Sequence, residues 1–530
     1  MSTATAVLSE QGSWKPKVNP WIIGVVVSMA AFMEVLDTSI ANVALPHIAG
    51  NLGASNDEST WVLTTYLVSN AIVLPISGFL VELFGRKRFF ITCIAFFTVS
   101  SFMCGIAPSL GLLLFFRILQ GAFGGGLQPM AQAILADTFP PEKRGLAFAL
   151  YGVTAVCGPV LGPTLGGWIT DNFSWRWIFY INVPVGILAL FLVQMLVEDP
   201  PHFARIKKGF ARFDSVGFSL LAVGVGALQV VLDKGQEDDW FSSRFIVVLS
   251  SIAAVGLLSL VAWEWRQEEP IVDVHLFRNF NFVTTNVMFL ILGVALFSST
   301  VLMPQLLQTL MGYTAEEAGM VLSAGAVAIL FFLPLVGKLT TRVQVRYLIA
   351  TGWLVMAASM YFSARQTDLL ISFRSATFLR VLQSLPLPFL FVPITLAGYI
   401  GLANEKTNAA AGLMNFMRNM GQSIGTSALT TVLARRNQFH QTVLASDTAS
   451  PQFRIAVHGL AVQLSRAGLN TQAAQHQAVA RLYRLVLAQS ATLSYVDAYW
   501  LLAVAGAAMF ATSFLLKTNE PGTGGHVSLH

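Results

Sequence analysis

Two acids stand where acids are costly. Glu34 and Asp37 fall inside a long apolar run near residues 21–44. Their i,i+3 spacing puts both carboxylates on one face of a helix. In a medium of low dielectric, neighbouring carboxylates resist double ionisation, so the pair should share a proton. That is the behaviour a proton carrier needs. An acid held permanently by a structural partner is the other reading, and both stand at this point.

Arg117 and Arg380 are cations in similar runs. Arg117 lies about 9–10 Å from one membrane surface and Asp37 about 24 Å from the other, at 1.5 Å per residue. In a hydrocarbon core about 30 Å thick these depths coincide, which allows a pairing, direct or through water or Gln120. Further along, Asn415, Arg418, Asn419, Gln422 and Thr426 recur at helical spacing and form one polar stripe. Facing lipid, such a stripe would be very unfavourable, so it should face the protein interior. It serves there either as part of a substrate path or as interhelical hydrogen bonding. Asn42, Gln120, Gln305, Gln308 and Arg380 are further polar candidates for that path.

A different chemistry belongs to Gly158-Pro159-Val160-Leu161-Gly162-Pro163-Thr164-Leu165-Gly166-Gly167. Glycines four residues apart permit close helix contact. The prolines remove donors and bend the helix. Gly121, Gly124, Gly125 and Gly126 suggest similar close contact. Catalytic and cofactor signatures are missing: there is no GxxxxGK[ST] loop, HExxH, CxxC or G-x-S-x-G. Drive by ATP within this chain is therefore not expected, nor is a metal or cofactor. Cys93, Cys104 and Cys157 are odd in number and scattered, which reads as packing.

The elements that carry these residues follow from composition. The chain has 530 residues, 55% hydrophobic and 11% charged. A soluble chain has about 25% charged residues, so soluble multidomain folding is excluded. Disorder is excluded by the same hydrophobicity. The fold class is an all-α polytopic membrane protein, because a helix satisfies its own backbone in lipid. Fourteen runs are long enough to cross, near 21–44, 59–82, 89–107, 110–136, 146–168, 177–197, 215–232, 245–265, 281–309, 317–338, 347–363, 376–401, 408–433 and 493–516.

Basic residues cluster on one side of these spans. That side holds Lys15, Lys17, Arg86, Lys87, Arg88, Lys143, Arg144, Arg205, Lys207, Lys208, Arg212, Arg266, Arg278, Lys338, Arg342, Arg346 and Lys406. It should be cytoplasmic, with both termini inside. Much of the net charge of +5 then marks orientation, and no nucleic-acid partner is expected.

The expected organisation is a cytoplasmic segment 1–20, a six-helix bundle 21–197, a linker 198–214, two inserted spans 215–265, a second six-helix bundle 266–516 and a tail 517–530. The external loop 434–492 is rich in Gln, Ala and Arg. It is expected as a solvated hairpin with short amphipathic helices, or as a docking element.

The halves echo one another. Leu74-Pro75-Ile76-Ser77-Gly78 precedes a basic turn at 85–88, and Leu333-Pro334-Leu335-Val336-Gly337 precedes Arg342 and Arg346. Arg117-Ile118-Leu119-Gln120 is answered by Arg380-Val381-Leu382-Gln383. Each arginine precedes a Glu-Lys pair, Glu142-Lys143 and Glu405-Lys406, at equal spacing. Repeated halves of this kind build secondary transporters, with a site between them near the midplane.

Several motifs carry a family resemblance. Residues 78–88, with Gly78, Gly85, Arg86 and Arg88, resemble the signature between the second and third spans of the major facilitator superfamily; Glu82 stands where that signature has Asp. Leu36 through Pro46 resembles the first-span motif of the fourteen-span drug:proton antiporters. Arg117–Gly121 resembles their proton-coupling motif in the fourth span, and Gly158–Gly167 their fifth-span antiporter motif. Trp175 through Pro184 completes the set. The chain is similar throughout to the EmrB/QacA group, in particular its EmrB-type branch in Gram-negative bacteria.

The resemblance implies two six-helix bundles plus two inserted helices, and export of hydrophobic drugs, uncouplers or fatty acids in exchange for protons across the inner membrane. It implies coupling through Asp37 and Arg117, to which the spacing adds Glu34 as a candidate, and gating through residues 78–88 and the Gly-Pro run. It also implies a periplasmic membrane-fusion adaptor of the EmrA type and an outer-membrane channel of the TolC type. Glu34 is an acid that EmrB-type chains need not have. The competing readings are an importer of a specific solute, a polytopic membrane enzyme, and a non-transporting sensor or scaffold. The Gly-Pro run disfavours the first, scattered histidines the second, and buried Asp37 and Arg117 the third.

Overall fold

The computed structural model describes residues 16–199, 213–447, 450–519 and 521. Lys15, the linker residues Arg205, Lys207, Lys208 and Arg212, and the tail beyond residue 521 lie outside the described residues. Among the described residues all regular structure is helical.

The N-terminal half contains α1 (Pro20–Leu52), α2 (Asn56–Phe84), α3 (Arg86–Ile106), the broken pair α4 (Leu110–Gly124) and α5 (Leu127–Thr138), α6 (Arg144–Asn172), and the short α7 (Trp177–Tyr180) leading into α8 (Asn182–Leu196). The inserted pair is α9 (Ser215–Lys234) and α10 (Arg244–Glu264). The C-terminal half contains α11 (Phe280–Thr309), α12 (Ala315–Leu339), α13 (Val345–Gln366), α14 (Phe373–Ser384), α15 (Pro386–Gly398), α16 (Thr407–Asp447), α17 (Pro451–Arg466) and α18 (Thr471–Ser513).

Every expected crossing run is occupied by helix. Among the described residues, twelve helical segments are long and apolar enough to cross a membrane, or thirteen when the bent α6 is counted as one span. The run at 408–433 falls in α16, whose polar stripe makes it less apolar than the others. Its neighbours cover that stripe instead of lipid.

The internal repeat is visible in packing. In the N-terminal half the first helix packs on the fifth span (α1 with α6), the second on the fourth (α2 with α4) and the third on the sixth (α3 with α8). The C-terminal half repeats this with α11 on α16, α12 on α14 and α13 on α18. The two halves meet through α2 on α16 and α6 on α12, a reciprocal exchange of second and fifth spans. Local signals repeat too. Both second helices begin with a capping box, Ser55 with Glu58 and Thr314 with Glu317, which satisfies donors that the first turn leaves open. Both Glu-Lys pairs sit in single 3-10 turns, Pro141–Lys143 and Asn404–Lys406.

The segment expected as a loop at 434–492 is mostly helix. α16 runs on to Asp447, and α18 begins at Thr471. At 1.5 Å per residue, helices of this length reach about 60 Å, roughly twice the hydrocarbon thickness. The sequence explains the extension: Ala, Gln, Leu and Arg are good helix formers, and the helices are interrupted at Ser450-Pro451 and at Gly468, while the lone Gly459 is tolerated within α17. Gly468 takes φ +101° at the turn before α18, a conformation that suits glycine. Leu464, Ala474 and Ala478 close a small core between α17 and α18.

Candidate functional site

The fourth span breaks at Gly124–Gly126, between α4 and α5. Each half of the broken span serves a different acid of α1. Asp37 meets α4. Arg117 Nη1 donates to Asp37 Oδ2 at 2.7 Å and to Gln120 Oε1 at 2.8 Å. Gln120 Nε2 donates to Asp37 Oδ1 at 2.9 Å. Asn182 Nδ2, at the start of α8, donates to the same oxygen at 2.6 Å and to Ser101 Oγ at 3.0 Å. Arg117 Nε also donates to the Val62 carbonyl at 3.1 Å, and its guanidinium lies 4.3 Å from the centre of the Tyr66 ring. The pairing is therefore direct and shared with Gln120, and every group in it belongs to the N-terminal half. A charge buried this far from water needs such partners; Arg117 Nη2 makes no hydrogen bond, but the rings of Tyr66 and Phe179 lie against the guanidinium.

Glu34 meets α5 and the opposite half. Its Oε1 accepts from the Tyr66 hydroxyl at 3.2 Å and from Asn70 Nδ2 at 3.0 Å. Its Oε2 accepts a short hydrogen bond from Gln128 Nε2. Gln128 Oε1 accepts in turn from Tyr151 at 3.2 Å and, in another short bond, from Arg418 Nη2 on α16. Beside this chain Asn415 Nδ2 donates to Gln132 Oε1 at 2.7 Å, and Asn419 reaches Asn70 at 3.4 Å. Glu34, Gln128, Gln132, Asn415 and Arg418 are all buried. This cluster spans the seam between the halves. Glu34 and Asp37 thus share a helix face but not a partner.

Other expected site residues lie elsewhere. Gln422 is half-buried one turn beyond Asn419. Asn42, Gln305 and Gln308 are exposed and are not brought to this cluster. Arg380 is fully buried in the C-terminal half, its Nε 2.9 Å from where a Cβ on Gly325 would stand, near Ser384 and Tyr499. It occupies the place in its half that Arg117 holds in the other, apart from the central cluster. Tyr66, Asn70, Gln128, Gln132 and Tyr151 join the site with no motif to mark them, while Asn182 belongs to the Trp175–Pro184 motif. Their signal was the same as for the others, a polar side chain in an apolar run.

The motif at the basic end closes the seam by close packing. A Cβ on Gly78 would stand 2.7 Å from the Ala409 Cα. One on Gly412 would meet the Leu74 carbonyl at 2.6 Å, and one on Gly337 the Gly145 carbonyl at 2.9 Å. Gly85 takes φ +84° at the end of α2, which turns the chain directly into α3. Arg86 forms a short buried ion pair with Asp137, while Arg88 is exposed. Half-buried Glu82 lies within electrostatic reach of Lys406, which pairs with Asp273 at 2.6 Å.

The Gly-Pro run in α6 both bends and packs. The helix turns by 43° between Pro159 and Leu161. Gly158 faces Val35, Gly162 faces Ser39 and Gly166 faces the Ile40 backbone, so every fourth residue admits α1. Pro163 lies within the helix beyond the bend. Gly167 has no such neighbour closer than 4.0 Å. The three cysteines are buried and unbridged, with Cys104 Sγ 3.6 Å from Gln120 Oε1.

With the two halves and their shared polar seam in view, comparison with known proteins is decisive. A model of the Major Facilitator Superfamily matches residues 27–426. The chain belongs to the major facilitator superfamily. It is 36% identical over 481 residues to the multidrug export protein EmrB of Escherichia coli K12, covering 91% of this chain and 92% of that protein. It is 37% identical over 449 residues to the fatty acid resistance protein FarB of Neisseria gonorrhoeae, covering 84% and 86%. Among solved structures, the proton:xylose symporter XylE has the same fold, with a TM-score of 0.60, 13% identity, and 95% and 98% coverage. The chain is thus a multi-span membrane protein of a transporter family, within the group that includes EmrB.

Proposed function

We propose that this protein exports hydrophobic drugs or other amphipathic toxic compounds across the inner membrane in exchange for protons, by alternating access. The observation that carries this reading is the Glu34–Gln128–Arg418 chain, which joins an acid of one half to a cation of the other at the buried seam. The relatives' names, multidrug export and fatty acid resistance, support the class of cargo.

In this reading the carrier takes up substrate from the cytoplasm with Asp37 or Glu34 deprotonated. Protonation from outside favours release. A ligand shifts two states only through its differential affinity for them, and a polar cluster divided between the halves supplies that difference. Arg117, Gln120 and Asn182 hold Asp37, while Gln128, Asn415, Arg418 and Asn419 line the substrate path. The basic end is cytoplasmic, as are both termini, in line with the bias of Lys and Arg. The protein performs transport and no bond-making chemistry. It works with a periplasmic adaptor of the EmrA type and an outer-membrane channel of the TolC type.

The test is proton release on substrate binding. Purified protein in weakly buffered detergent solution receives ethidium, a lipophilic cation, or oleate, a lipophilic anion, with a pH indicator present. Binding should displace protons from the wild type and fewer from Asp37→Asn or Glu34→Gln. Binding without proton displacement across the neutral range would refute competition between proton and substrate.

A further inference from the structure

The inserted pair α9–α10 has no counterpart in the repeat, and one of its helices lies against both halves. On the N-terminal side, Asp233 accepts a short hydrogen bond from Thr64 of α2. Lys234 is buried and donates to Thr60 in another short bond, to the Asp57 carbonyl at 3.4 Å and to Glu237 at 2.6 Å. On the C-terminal side, Gln229 Nε2 donates to Ser423 Oγ of α16 at 2.8 Å. The Trp240 indole N–H is shared between Thr431 Oγ1 of α16 at 3.0 Å and Gln236 Oε1 at 3.2 Å.

The turn that presents Trp240 is strained. Among the described residues only Asp239 and Trp240 take positive φ without being glycine, at 55° and 51°. Left-handed backbone is unfavourable for a bulky residue and persists only where surroundings enforce it. Here they do: the indole sits over Gly235, where a Cβ would stand 2.7 Å from the ring. All these contacts lie toward the end of α2 and α16 opposite the Gly78–Ala409 packing.

We propose that the inserted pair is a latch on the outer gate. Fixed to α2 through Asp233 and Lys234, it holds α16 through Trp240–Thr431 and Gln229–Ser423, and those two bonds part when the halves separate at that end. The proposal rests on the alternating-access reading, but its test needs no transport. Spin labels at Asn51→Cys and Thr442→Cys, exposed positions at the outer ends of the two halves, report their separation in the full chain with Cys93, Cys104 and Cys157 replaced by alanine.

Trp240→Phe removes the indole N–H and keeps a ring. Thr431→Val removes its acceptor from the other side and keeps the shape. Each should raise the population at the longer distance about three- to tenfold, the weight of one hydrogen bond. The double variant should go no further than either single one. If both single variants keep the wild-type distance distribution, the latch is refuted. If the distances shift but substrate binding displaces no protons, the latch stands and proton antiport fails.

Discussion

Arg117 Nη1 donates to Asp37 Oδ2 over 2.7 Å, with 0% and 1% of the two side chains exposed. The pair is internal to one half, so its first role is to hold α1 on α4. Removing one partner of a buried pair leaves the other charge stranded, which costs about 3–5 kcal/mol. Arg117→Ala should therefore strongly lower the fraction that stays monodisperse after heating in detergent. The double variant Arg117→Gln with Asp37→Asn strands no charge and should lose less. Equal losses from the two would contradict the pairing argument.

Gln128 is the single amide between Glu34 and Arg418, and its two ends face opposite halves. Gln128→Leu leaves buried polar groups without their partner, at about 1–3 kcal/mol each. Substrate flux should fall at least about fivefold, the weight of the smallest such loss. Gln128→Asn is too short to reach both and should resemble Gln128→Leu. Flux at the wild-type level in either variant would show that the chain across the seam is dispensable.

At the basic end, size is the constraint. Gly78→Val would place side-chain atoms within the Ala409 backbone, and overpacking costs about 1–3 kcal/mol. The closed state there should lose population by about 5- to 100-fold, since 1.4 kcal/mol is tenfold. Labelling of Ala409→Cys by a hydrophilic maleimide should accelerate accordingly. Unchanged labelling would mean that this contact does not close the seam.

The Gly-Pro run offers an internal control. Gly162 is packed against Ser39, so Gly162→Leu should separate α6 from α1 and lower both stability and flux. Gly167→Ala meets nothing closer than 4.0 Å and should be nearly neutral. Similar effects from both would argue that the run acts through backbone flexibility and not through packing.

What sequence made legible, and what it did not, follows from these same residues. Length and hydropathy located the helices, since each must satisfy its backbone within the bilayer. Depth along the helix placed Asp37 beside Arg117. Spacing also put Glu34 on the face of Asp37, but could not divide them: their partners Gln120 and Gln128 lie about two turns apart along the fourth span, on α4 and α5. Asn42, Gln305 and Gln308 are exposed and apart from the buried cluster, a separation that residue type alone does not reveal. The long extensions of α16 and α18 escape hydropathy because the apolar run ends at the membrane surface while helix propensity does not.

On the proposed mechanism, proton movement drives export. Proteoliposomes under an imposed pH gradient test it most directly, with substrate flux followed in wild type and Asp37→Asn. Flux should follow the direction and size of the gradient in wild type and lose that dependence in Asp37→Asn. Wild-type flux that is indifferent to the gradient would contradict the account.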